Sequence, residues 1–188
     1  MYKKMPLIKL NTYTNPWQKR SRKQIYRNQW MGIYEDEVIR PDARPGIYAF
    51  MDCHPAVGVV PVDNYGQTCL VGQYRYPLAC YSWEIPTGMG EAGESVVDTA
   101  RRELAEETGL IANELIELGR FNPSNSLSNE EATIFLAPDC RVGETRRDAT
   151  EVIHIARMPL TEAIARARSG EIRDAMSLLG LFWAEQRL

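Results

Sequence analysis

The sequence predicts an α+β fold built on a mixed sheet, and three observations carry that expectation. Strand-patterned runs outnumber helical ones and are sparsely interleaved with them. Clusters of turn-forming residues separate the runs at short intervals. The 188 residues, 44% hydrophobic and 25% charged, are enough for one full core in an ordinary globular protein.

Residues 1 to 55 begin without clear period and then alternate. QIYRNQWMGIYEDEVIRP and PGIYAFMDC, joined by the turn-rich RPDARPG, read as a small antiparallel sheet. We take 1–55 as an N-terminal antiparallel sheet extension and 56–188 as the main domain. There AVGVVPV, DNYG and TCLVGQYRYP have the pattern of a hairpin with Asn64 and Gly66 near its bend, and SWEIPTG continues as a short strand ending at Pro86.

The period then changes to that of a helix. Ser95 can cap it, Asp98 replaces the usual Glu of a capping box, and Gly109 is placed to end it. Val97, Ala100 and Leu104 form the expected inward stripe. Beyond the helix, ELIELGRF and EATIFLAP read as strands around the loop NPSNSLSNE, and EVIHIARM as another strand. Pro159 opens the helical LTEAIARARSG, and DAMSLLGLFWAEQRL closes the chain as an amphipathic helix.

Composition narrows the chemistry. A net charge of −3 gives no global reason to expect nucleic acid or an anionic membrane as partner, and KRSRK at 19 to 23 reads as a solvated segment. Cys53, Cys69, Cys80 and Cys140 are spaced too irregularly for a zinc motif and read as small, buried, reduced residues. With only His54 and His154 available, a metal would have to be held by oxygen. MYKKMPLIKL lacks an apolar stretch of signal-peptide length, so a cytoplasmic protein is expected.

Glu103, Glu106 and Glu107 share one face of the central helix, displaced from the apolar stripe. Like charges at this spacing repel by about 0.2–0.5 kcal/mol per pair. Either the face is a solvated stripe or it holds a hard divalent cation such as Mg²⁺ or Mn²⁺. The preceding loop TGMGEAGE favours the cation, because its glycines let backbone approach the acidic face. A second acidic pair, Glu130 and Glu131, lies in the later loop, where a mobile base or extra ligand would sit.

Gly88, Glu94, Arg102-Glu103-Leu104, Glu106-Glu107 and Gly109-Leu110 are spaced as in the Nudix box, over 23 residues, and the chain resembles that family. The resemblance implies an α/β/α sandwich around a mixed sheet and hydrolysis of a diphosphate linked to a nucleoside. It also implies Glu103 and Glu107 as main metal ligands, Glu106 as a third or outer ligand, and the Thr87 carbonyl as another. Glu94 and Arg102 would form an orienting ion pair, and Gly88 would open the box. The flanks LVGQYRYPLACYSWEIPTG, PSNSLSNEEATIFLA and GEIRDAMSLL resemble the branch of ADP-ribose pyrophosphatases and nucleoside-diphosphate-sugar hydrolases. One departure is Asn125-Ser126, where many relatives have Pro-Gly. The Ser-acid-Glu of relatives falls on Ser128-Asn129-Glu130, which makes Glu130 the candidate catalytic carboxylate, beside Glu106 and Glu107.

Three further residues are candidates for substrate binding. Arg75 can clamp a phosphate through its planar fork or form a surface ion pair. Glu84 resembles a substrate-side residue of the branch or simply pairs with an arginine. Trp30, in the N-terminal sheet, can stack on a base across a homodimer whose relatives exchange this sheet, or pack in the core or an interface. The expected activity is hydrolysis of nucleoside diphosphate sugars such as ADP-ribose or GDP-mannose. The alternatives are a pyrophosphatase of nucleoside triphosphates or dinucleoside polyphosphates, and, more remotely, a non-catalytic nucleotide sensor.

Overall fold

A computed structural model describes residues 14–143 and 152–187. The chain divides into two compact units, Met1–Met51 and Asp52–Leu188.

The first unit is a three-stranded sheet of β1 (Gln18–Arg27), β2 (Met31–Ile39) and β3 (Pro45–Cys53), in that order. The basic run lies in β1, where the antiparallel register sets Lys23 opposite Glu35, Arg22 opposite Asp36 and Ser21 opposite Glu37. Arg22 forks onto both Asp36 oxygens at 2.7 and 2.8 Å and stands over the Phe50 ring. The run is an exposed strand whose charge is matched by its acidic neighbour. Trp30 lies in the bend between β1 and β2 rather than within a strand, 57% exposed, where Asn28 Oδ1 accepts the N–H groups of Trp30 and Met31.

The second unit contains β4 (Ala56–Pro61), β5 (Gln67–Arg75), β6 (Cys80–Glu84), β7 (Thr87–Met89), α1 (Val96–Thr108), β8 (Leu110–Ile111), β9 (Ile116–Phe121) and β10 (Ala132–Ala137). These are followed by β11 (Arg141–Val142), β12 (His154–Pro159), α2 (Leu160–Ser169) and α3 (Ala175–Glu185). One sheet has the order β7-β4-β10-β9 and another β12-β5-β6, with β11 and β8 forming a small pair. β4 and β10 run parallel and the other neighbours antiparallel, so the main sheet is mixed as expected. The predicted strand EVIHIARM starts at Glu151, which lies outside the described residues; β12 is its described part.

The hairpin expected around Asn64 forms only at its turn. Asp63 Oδ1 accepts the N–H groups of Tyr65 and Gln67, but β4 and β5 then enter different sheets. Both edges of β4 are occupied, by β7 and β10, and all six of its residues are buried. A local turn signal carries no information on which strands compete for an edge.

Side chains of β4 and β10 alternate between two cores. Val57, Val59, Phe135 and Ala137 pack with Ala100 and Leu104 of α1. Val60, Ile134 and Leu136 pack with Leu160, Ala163 and Ile164 of α2 and Leu181 and Ala184 of α3. The result is the helix–sheet–helix sandwich. The inward stripe of α1 differs by one residue from the expected one: Val97 is 38% exposed, and Val96 packs in its place at the even spacing 96, 100, 104. Two cysteines also depart from expectation, since Cys80 is exposed and Cys53 half-buried; all four are free thiols, and only Cys69 and Cys140 are buried.

Candidate active site

The site is built on the outer edge of β7. Val59 N–H donates to the Pro86 carbonyl at 2.9 Å and Gly90 N–H to the Pro55 carbonyl at 2.8 Å. Alternation along an antiparallel ladder therefore turns both backbone groups of Thr87 away from β4. The Thr87 N–H is found there, donating to Glu107 Oε2 at 2.9 Å. The Thr87 carbonyl shares that open edge with the α1 carboxylates.

Helix α1 is held against this edge by local and core contacts. Ser95 Oγ accepts the Asp98 N–H at 3.1 Å, a cap worth about 1 kcal/mol. Gly109 ends the helix with φ 69°, a left-handed conformation that costs glycine little. Ala100 and Leu104 are fully buried, and truncating such a leucine to alanine costs about 2–5 kcal/mol. With that face fixed, Glu103 and Glu107 lie along β7. Gly88 is required by this approach, because a Cβ there would fall inside the Glu103 carboxylate.

Arg102 carries more of the site than its expected pairing with Glu94. Its Nε and Nη2 donate to Glu94 Oε1 and Oε2, both at 3.0 Å. Nη1 reaches Glu103 Oε1 at 2.8 Å and Glu106 Oε2 at 3.1 Å, and Nη2 also reaches the Met89 carbonyl. One guanidinium thus compensates Glu103 and Glu106, two of the three acids that repel one another on α1. The Arg102 hydrogen bonds hold the Glu94 carboxyl down to about 2 despite its partial burial. The 102/106 contact was legible as an i, i+4 pair; the bridge to Glu103 was not, since adjacent helix residues do not face each other.

Could these residues hold a divalent cation? The donors are all hard oxygens on one helix face and one backbone edge, and the backbone at Gly88 leaves room for Glu103 to lie close. In this structure the carboxylates rest on protein donors, and no group of three His, Cys, Asp or Glu is drawn together as a ligand cluster among the described residues. Glu107 is 5% exposed and Glu106 has its side chain 40% exposed, so the two differ in access to solvent. The donor chemistry fits, with Glu103, Glu106, Glu107 and the Thr87 carbonyl as the set.

The later loop comes to the same end of the sheet. β10 pairs Ala132 with Ala56, and Ala56 pairs in turn with Met89. Glu130 is half-buried, and burial pushes its carboxyl above the usual range. Among the described residues none donates a hydrogen bond to that carboxylate. Glu131 instead faces Arg120 at 3.4 Å.

Arg75 and Glu84 form a two-pronged ion pair across β5 and β6, with Glu84 buried and Arg75 partly open. Burial alone would raise the Glu84 carboxyl, but the Arg75 bonds bring it below its usual value. Glu84 in turn holds the Arg75 proton more tightly, with Asp174 and Glu107 adding their charge. Two anchoring contacts leave no local mark in the sequence. Ile85 N–H donates to Ser177 Oγ of α3, and Asn129 bonds Asp52 and the Cys53 N–H. Both join residues 76 or more apart, and short-range patterning cannot reveal such pairs.

The sandwich is the fold of the comparisons below, and their family match and relatives make the chain a pyrophosphatase, an enzyme that hydrolyses phosphoric anhydrides. Residues 52–178 match the family described as NUDIX domain, and the chain belongs to the Nudix hydrolases, which generally need divalent metal ions. Residues 17–51 match the family described as nucleoside diphosphate sugar hydrolase N-terminal domain. The chain is 32% identical over 157 residues to an ADP-ribose pyrophosphatase of Bacillus subtilis, covering 82% of this chain and 85% of that one. It is 33% identical over 164 residues to an ADP-ribose pyrophosphatase of Mycobacterium tuberculosis, covering 86% and 79%. A crystal structure of an ADP compounds hydrolase shares the fold, with a TM-score of 0.82 at 22% identity over 95% of this chain and 97% of that one. No helix among the described residues is long and apolar enough to cross a membrane.

Proposed function

We propose that this enzyme cleaves the diphosphate of nucleoside diphosphate sugars, with ADP-ribose as the first candidate, to give a nucleoside monophosphate and a sugar phosphate. The observation that supports the reading is the β7 edge, where the Thr87 N–H donates to Glu107 Oε2 and the Glu103 carboxylate lies against Gly88. The two ADP-ribose pyrophosphatases and the N-terminal family match support this substrate class.

Glu103, Glu107, Glu106 and the Thr87 carbonyl would hold Mg²⁺, with Mn²⁺ as a substitute. What the cation supplies when bound is neutralisation of the diphosphate charge and a more acidic water. Arg102 and Glu94 keep the carboxylates oriented. Arg75, already braced by Glu84, keeps its outer face for a phosphate oxygen. Glu130 accepts a proton from the attacking water at its carboxylate, and its raised pKa strengthens it as a base. Glu131, paired with Arg120, is less suited to that step.

The N-terminal sheet is proposed to exchange between subunits of a homodimer in the cytoplasm. Ile25, Tyr26 and Ile47 on the strands and Trp30 in the bend are all at least half exposed, and Trp30 is the candidate for stacking on a base. Sedimentation of the full chain and of Trp30→Ala, with KM for the same substrates, tests both parts.

The deciding experiment compares ADP-ribose, GDP-mannose and dGTP at saturating Mg²⁺ and identifies the products. Release from dGTP alone would replace this reading with a triphosphate pyrophosphatase. Glu130→Gln tests the base: turnover within about threefold of wild type removes the assignment.

A further inference from the structure

We propose that Asn129 is a positioning residue, whose carboxamide ties the loop before β10 to Asp52 and thereby fixes where Glu130 stands. The proposal rests on the reading of Glu130 as the base. Asn129 Nδ2 donates to Asp52 Oδ1 at 2.6 Å, and its Oδ1 accepts the Cys53 N–H at 2.9 Å. On the other side of Glu130, the Glu131 carbonyl accepts the Ala56 N–H at 3.0 Å. The Glu130 carbonyl itself accepts Asn122 Nδ2 at 2.9 Å. The backbone of Glu130 is therefore held on both flanks to the segment 52–56.

The chemistry selects a carboxamide at 129. One end must accept from a backbone N–H and the other must donate to a carboxylate, which asparagine alone does at this side-chain length. Aspartate would keep the first bond and set its second oxygen against Asp52 Oδ1. Alanine would lose both. Asn129 is exposed, so its bonds add little to global stability, and what they control is geometry. A base displaced by about 1 Å can cost on the order of a hundredfold in turnover.

The test uses the full chain with ADP-ribose and Mg²⁺, and reads kcat, KM and the melting temperature. Asn129→Asp is expected to lower kcat about tenfold or more while KM stays within about threefold and melting is little changed. Adding Asp52→Asn should restore kcat, because a carboxamide at position 52 can donate to the new carboxylate; Asp52→Asn alone should stay near wild type. In a Glu130→Gln background, Asn129→Asp should cause no further loss. A kcat for Asn129→Asp within about threefold of wild type overturns the proposal. So does failure of Asp52→Asn to rescue, or, where Glu130→Gln is itself impaired, an undiminished additional loss in that background. An active Glu130→Gln enzyme sinks the base reading alone, while rescue in the double variant still reads the anchor, whichever carboxylate the loop presents.

Discussion

The Glu103 carboxylate occupies the space in which a side chain at position 88 would begin. Gly88→Ala must therefore push Glu103 off the β7 edge. We expect kcat to fall about tenfold or more, with far-UV circular dichroism unchanged, because the displaced group is a side-chain end and not core. Wild-type turnover in this variant would show that Glu103 works from elsewhere.

Glu107 is buried and held by the Thr87 N–H, a bond that glutamine can keep through its amide oxygen. Glu107→Gln should then fold normally and lose turnover by on the order of a hundredfold or more. Kinetics at several Mg²⁺ concentrations separate weaker metal binding, which high Mg²⁺ would partly recover, from a loss of chemistry.

Acid sensitivity should report the Glu94–Arg102 pair. Glu94 is held at about 2 in the fold against an ordinary value of 4.5. Its contribution to stability is full above 4.5 and is lost as pH falls from there towards about 2. Arg102→Lys removes the fork, raises the Glu94 carboxyl, and should flatten the fall of melting temperature over that window while lowering the plateau above it. Thermal melts from about pH 2 to about pH 6 measure both effects.

Chelation should separate catalysis from folding. EDTA is expected to abolish hydrolysis and Mg²⁺ to restore it, with the circular dichroism spectrum intact, because Arg102 and the Thr87 N–H already hold the carboxylates. Saturating Mg²⁺ should also raise the melting temperature by linkage to the native state. A chelated enzyme that hydrolyses at its normal rate would remove the metal reading.

Most of the fold and the acidic face of α1 were legible in the chain. The cap at Ser95, the stop at Gly109 and the shared face of Glu103, Glu106 and Glu107 follow from helix geometry. The structure departs from the local patterns where distant neighbours decide the outcome. Val97 fits the helical period as well as Val96 does, and only the position of the sheet chose between them. The turn at Asp63 is real, yet β4 found better partners than β5.

What the sequence by itself determined is the set of elements and the acidic face, since helix and strand periods are properties of a few consecutive residues. Only the tertiary structure decided that Arg102 bridges the acids, that Arg75 is braced by Glu84, and that Asn129 ties Glu130's loop to Asp52. Arg75 and Glu84 are nine residues apart and Asn129 and Asp52 seventy-seven, and their contacts exist only once strand register has brought the segments together.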